Sequence, residues 1–279
     1  MKLKIFVAVL AVALAWFAGR HYYRTGHVIG GDAQTLAESI TAGEQVVNDA
    51  QTLSPGARVE VSGINGPVEI ATTDSQTAEV HVENNVSDAR DLENHKITVD
   101  RAADHITVRA ENRGVGFGGF MRWLTGRGGG NHGATQRVVL KVPRQVTVAV
   151  RGVNGEVKVG EVEGAVRVAG INGAVTVGRA AGRAEVAGVN GNVTFAMSRL
   201  ADDGVRVSGV NGNIELKLAT DVNADLNVGG LSGGVTYDLK NVTVEDGGDN
   251  RSRFNARIGA GGAPIRINGV HGDVHLAYI

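Results

Sequence analysis

The chain has 279 residues, 41 of them glycine, with 42% hydrophobic residues, only 4% aromatics and a formal net charge of −1. The apolar share excludes a disordered chain, the glycines lack the every-third spacing of collagen, and a near-neutral charge supplies no basic face for nucleic-acid phosphates. With no cysteine present, disulfides, thiolate metal sites and lipidated cysteines are excluded too.

Lys2 and Lys4 precede an unbroken apolar run from Ile5 to Ala18. A positive start and a run of about 14 apolar residues fit a secretory signal. At 1.5 Å per residue the run spans roughly 21 Å, less than the ~30 Å core of a bilayer. Ala13-Leu14-Ala15 offers a cleavage site, while Trp16, Phe17, Tyr22 and Tyr23 suit the interface position of an uncleaved anchor. Residues 1–19 are therefore expected to be a signal peptide or an N-terminal membrane anchor. Both readings export the chain to the periplasm or cell surface, and the second holds it in the inner membrane by residues 5–18.

Residues 20–57 are expected to form a polar linker, with a short helix suggested by the spacing of Leu36, Ile40 and Val47 and weakened by Gly43. From Arg58 onward a strand pattern takes over, in "RVEVSG", "AEVHVEN", "KITVD" and "HITVRA". Residues 113–135 are too rich in glycine for a strand or stable helix and are expected to be an inserted loop. Strands then resume at "QRVVLKVP" and continue to Ile279, so residues 58–279 form one all-β domain.

A repeat is sharpest from Asn154 to Phe195, where Gly155, Gly164, Gly173, Gly182 and Gly191 recur every nine residues. Apolar residues stand two and four places after each glycine, as in Val157 and Val159, with a polar residue between them. Side chains alternate across a strand, so each unit presents one apolar and one wet face. Gly-Val-Asn-Gly marks every second unit, at 18-residue intervals that lengthen to 21 at Asn190, Asn211 and Ser232. Two architectures fit. Asn-Gly between alternating strands is a strong hairpin signal and would give an antiparallel β-meander or sandwich. A β-solenoid, parallel and β-helix-like, would instead stack like residues on like about 4.8 Å apart. Constant glycine-to-valine offsets favour the solenoid, because a coil closes over its own valines and a bare meander leaves them exposed. In that reading Asn65-Gly66, Asn154-Gly155, Asn172-Gly173, Asn190-Gly191 and Asn211-Gly212 are structural corners.

"RVVLKVP" followed by "VTVAVRGVNGEVKVGEVEGAVRVAGINGAVTV", together with the upstream "RVEVSGINGPVEI", resembles the bacterial putative-adhesin domain family. The resemblance covers most of Arg58 to Ile279. It implies an exported, non-enzymatic β-solenoid and contributes no functional residues. The segment 114–133 looks like an insertion relative to the family pattern.

Few residues carry chemistry. Gly230-Leu231-Ser232-Gly233-Gly234 matches a nucleophile-elbow pattern, but a strand follows it where a helix is needed. His271, Asp273 and His275 alternate along the last strand and are the weak candidates for a metal site. "EDGGDNRSR" lacks the spacing of a calcium loop. In the inserted loop, Phe117, Phe120, Met121, Arg122, Trp123, Leu124 and Arg127 mark a candidate partner contact, since large apolar side chains beside arginine suit an envelope protein, a glycan or a lipid surface. No catalytic residue and no cofactor is expected. The leading expectation is a non-enzymatic structural or binding module of the bacterial envelope. Its alternatives are a membrane-tethered sensor or regulatory partner and a glycan-active β-helix enzyme. The strand-like C-terminus "VHLAYI" suggests an open edge that invites self-association.

Overall fold

The computed structural model describes residues 37–41, 44–86, 95–111, 135–246 and 253–279, and among these there is no helix. The N-terminal strands are β1 (Ala37–Thr41), β2 (Glu44–Thr52), β3 (Arg58–Ser62), β4 (Val68–Thr73), β5 (Thr77–Asn85), β6 (Ile97–Ala102), β7 (His105–Ala110) and β8 (Thr135–Pro143). The central ones are β9 (Thr147–Val153), β10 (Val157–Val162), β11 (Val166–Asn172), β12 (Val175–Ala180), β13 (Ala184–Asn190), β14 (Val193–Met197), β15 (Val205–Asn211) and β16 (Ile214–Leu218). The C-terminal ones are β17 (Ala224–Leu231), β18 (Val235–Tyr237), β19 (Val242–Asp246), β20 (Arg253–Ile258), β21 (Ala263–His271) and β22 (Val274–Tyr278).

These strands form two 11-stranded sheets. Sheet A runs β1-β2-β5-β8-β4-β10-β12-β14-β16-β22-β18, and sheet B runs β19-β20-β17-β21-β15-β13-β11-β9-β3-β7-β6. Each coil lays one strand in sheet B and the next in sheet A, so the nine-residue unit is a strand with its corner and two units complete a coil. Coils pair in parallel and in register: Val166 aligns with Val148 and Ala184 in sheet B, and Val157 with Val68 and Val175 in sheet A. Valine, with its branched Cβ, packs well on such a pleated surface. The aligned apolar residues of both sheets join in one core, in which Val150, Val168, Phe195 and Leu216 are almost fully buried. Each fully buried side chain of this kind stabilises by about 1.5–3 kcal/mol. The chain is thus an all-β, solenoid-like fold, and Val207 aligns with Val186 and Ile267 where a hairpin at Asn211-Gly212 would have set it against Leu216.

The coils are not stacked in chain order. β3 and β4 lie inside β7 and β8, and at the other end β21 and β22 are inserted between β15–β16 and β17–β18. Antiparallel strands finish the stack. β5, β2 and β1 extend sheet A, β6 extends sheet B at the same end, and β20 and β19 extend sheet B at the other.

Three expectations are corrected. The stretch assigned to a linker with a short helix holds β1 and β2, and Val47 is 2% exposed because β2 pairs along its whole length with β5. The last strand is not an open edge: β22 pairs with both β16 and β18, and β18 is the edge of that sheet. Finally, the 21-residue interval from Asn211 to Ser232 does not mark stacked neighbours, since Asn211 aligns with His271.

Candidate functional site

The corner begins with backbone geometry. The first glycine of Gly-Val-Asn-Gly is left-handed (Gly188, φ 61°), a conformation that penalises any Cβ. That bend turns the next apolar residue inward, so Val189 is 2% exposed, and sets Asn190 outward. The asparagines then stack into a ladder. Asn154, Asn172, Asn190 and Asn211 each donate a side-chain N–H to the preceding amide oxygen, starting from Asn65, at 2.8, 2.8, 2.9 and 3.0 Å. A second row of acceptors lies beside it. Asn192 Oδ1 accepts the backbone N–H of Asn213 at 3.0 Å, Asn213 Oδ1 that of Asp273 at 2.9 Å, and Asp273 Oδ1 that of Gly234 at 2.8 Å. The corner residues therefore satisfy one another's polar groups and serve the frame.

His271 takes the place of asparagine in the ladder, next to Asn211. Asp273 sits in the second row, and His275 lies on the outer face of sheet A, with Nδ1 3.0 Å from Thr236 Oγ1 and Nε2 3.4 Å from Asp238 Oδ2. The three do not converge, and among the described residues no three His, Cys, Asp or Glu side chains are grouped to hold a metal. Ser232, the serine of the elbow-like pattern, stands at the corner between β17 and β18 with its hydroxyl donating to the carbonyl of Val270 at 3.5 Å.

The candidate contact residues Phe117, Phe120, Met121, Arg122, Trp123, Leu124 and Arg127 lie outside the described residues. In the sequence their segment stands between β7 and β8. The apolar run at residues 5–18 also lies outside them.

The outer faces of the two sheets differ in their basic residues. Sheet A displays Lys141, Lys158 and Lys217, each within 3.2 Å of a glutamate, together with Arg137 and Arg179. The strands of sheet B carry arginine and no lysine. Arg151 pairs with Glu60, Arg167 lies 3.5 Å from Glu185, and Arg257 lies 2.6 Å from Glu245. Exposed pairs of this kind contribute about 0–1 kcal/mol each and leave the face able to exchange partners. Arg206 and Arg266 stand on this face too, as do Arg58 and Arg109, and sequence reasoning missed the pair. A signal existed: "VRVSGVNG" and "IRINGVHG" place both arginines at the same point of the repeat.

No protein-family model matches the chain, and no curated protein matches it. Among solved structures, the chain is similar to a putative cell adhesion protein from Clostridium sporogenes, with 8% identity over 83% of this chain and 99% of that one, at a TM-score of 0.39. It is similar to a putative adhesin from Bacteroides fragilis, with 8% identity over 83% and 96% of the two chains, at a TM-score of 0.30. A putative adhesin from Parabacteroides merdae has 14% identity over 84% and 96%, at a TM-score of 0.26.

Proposed function

We propose that the chain is an exported, non-enzymatic envelope module that binds through its surface. The observation that carries this reading is the construction of the two outer faces. Each coil adds one strand to both sheets, so polar side chains repeat in registered rows, Arg167 beside Glu185 in one and Lys158 beside Thr176 in the other. Repeated groups on a rigid frame suit a repetitive partner, because several weak contacts engage together. The positive start and apolar run before Gly19 supply the export signal that this role needs.

Cell fractionation tests the reading. The full chain is expected in the periplasmic, membrane or surface fraction, and immobilised full chain is expected to retain an envelope component that washes through a column lacking it. A chain confined to the cytosol would overturn the proposal.

A further inference from the structure

The inserted last coil creates a feature that no neighbouring coils in sequence would produce. Arg206 of β15 and Arg266 of β21 are register partners on the outer face of sheet B, both exposed. Parallel strands lie about 4.8 Å apart, so the two side chains leave the sheet at adjacent positions. Among the described residues neither guanidinium makes a hydrogen bond or an ion pair. Their acidic neighbours are engaged elsewhere: Glu185 lies 3.5 Å from Arg167 and 3.9 Å from Arg183, and Asp225 lies 3.7 Å from Arg257. On the far side of Arg266, the Asn227 amide donates to Asn255 at 2.6 Å. The pair is also flanked by short side chains, Ser208 and Asn268, so its forks are open to solvent.

Like charges directly opposite on neighbouring strands destabilise a sheet. Glu185 is the register partner of Arg206 on its other side but, among the described residues, lies within ion-pair distance only of Arg167 and Arg183. Arg266 faces the neutral Asn227, so the pair keeps a net positive charge for an anion from outside. Guanidinium presents a planar fork that matches carboxylate and sulfate oxygens two at a time, which an ammonium does not. Arg167 lies in the same cross-strand row, on the far side of Glu185, and Arg151 and Arg257 lie on the same face in the two flanking rows, each beside a glutamate. Cations repeated over one face suit a linear polymer, which engages several of them together. Among the described residues the exposed large apolar side chains, Tyr237, Val244 and Ile279, lie off this face, on β18, on the core side of β19 and at the chain end. A lipid surface would need such groups for insertion.

We propose that Arg206 and Arg266 anchor a binding track for an acidic polysaccharide carrying carboxylate or sulfate groups. This deepens the surface-binding reading and rests on it. The test uses the full chain in mild detergent, titrated against polygalacturonate, dextran sulfate, neutral dextran and phosphatidylglycerol vesicles. Binding to at least one acidic polymer and not to neutral dextran is expected, weakening as salt rises. Arg206→Ser with Arg266→Ser should reduce affinity roughly tenfold without lowering the melting temperature. Lys158→Ser with Lys217→Ser makes the same charge change on sheet A and should leave affinity within about twofold, the size of a rim-charge effect. The proposal is overturned if no acidic polymer binds, if only vesicles bind, or if the lysine variant weakens binding as much as the arginine variant. Envelope location with unaltered binding by the arginine variant would remove the arginine site alone. Cytosolic location would remove the reading beneath it.

Discussion

Gly191 shows how closely adjacent coils approach. A Cβ built there would lie 2.4 Å from the carbonyl oxygen of Gly173 in the coil below, and the φ of 155° is itself unfavourable for a side chain. Gly178 lies mid-strand with its nearest neighbours at 3.4 Å, an ordinary contact, and carries no positive φ. Gly191→Ala should therefore cost about 2–3 kcal/mol, while Gly178→Ala should be neutral or stabilise by about 0.4–1 kcal/mol through the unfolded chain. Urea unfolding of both variants checks this, and equal losses would contradict it. A second effect at this scale depends on pH. The protonated His105 ring faces Asp104 at 2.9 Å and Asp100 at 3.4 Å, and these hydrogen bonds, that to Asp104 first, raise its pKa above the ordinary 6.5. A raised folded-state pKa gives a contribution that is complete below 6.5 and lost as pH rises through the folded value. The site is on the surface, so the effect is small and best read by NMR: His105 should titrate above 6.5, and Asp104→Asn should move it back. No movement would contradict the assignment. Corner glycines and their asparagines were legible in the sequence because each repeats at a fixed offset from buried valines. The pairing of Arg206 with Arg266 was not, because both sit at equivalent repeat positions but 60 residues apart, and only the order of the coils makes them neighbours.

Among the elements, the antiparallel strands at the N-terminal end are held by polar side chains inside the core. Gln45 on β2, Asn84 on β5 and Gln136 on β8 are each no more than 1% exposed. Gln136 donates to Asn84 at 3.4 Å, Asn84 donates to Gln45 at 3.3 Å and to the carbonyl of His95 at 2.8 Å, and Gln45 exchanges bonds of 2.9 and 3.0 Å with the backbone of Ile97 on β6. The chain of amides thereby links sheet A to the last strand of sheet B. Removing its middle member strands buried donors and acceptors, each of which costs about 1–3 kcal/mol. Asn84→Leu should lower the melting temperature and speed hydrogen exchange in β2 and β6 more than in β13. Unchanged protection in β2 and β6 would show that the network is dispensable. The strands themselves were readable, since "AEVHVEN" and "HITVRA" alternate cleanly. β2 was obscured because Leu36, Ile40 and Val47 also fit a helical spacing, and because its register partners in β5, from Thr52↔Thr77 to Glu44↔Asn85, lie 25 to 41 residues along the chain. Local periodicity carries no information about such a pairing.

For the whole molecule, repetition specifies what a coil is but not where it goes. Every coil offers the same columns of valine, isoleucine and leucine to its neighbours, so the interior permits several stacking orders. Chain order is the simplest of them, and the 21-residue interval from Asn211 to Ser232 points to it. The structure instead places the coil at His271 against Asn211 and leaves the coil at Ser232, with its three-residue β18, at the end. The physical distinction lies in how well each coil fits. β21 and β22 present Ile265, Ile267, Val270, Val274 and Leu276, all essentially unexposed, whereas β18 ends in Tyr237 at 39% exposure. The better-filled coil occupies the interior, and the arginine pair exists only because it does. An engineered cross-link tests this order most directly, in a chain that contains no native cysteine. Ser208→Cys with Asn268→Cys joins register partners on adjacent strands, within the about 4.4–6.8 Å Cα separation that a disulfide spans. It should form quantitatively in the folded full chain under mild oxidation and preserve the melting temperature. Ser208→Cys with Gly229→Cys, which chain-order stacking would bring together, should stay reduced; its ready oxidation, with the first pair unlinked, would contradict the fold described.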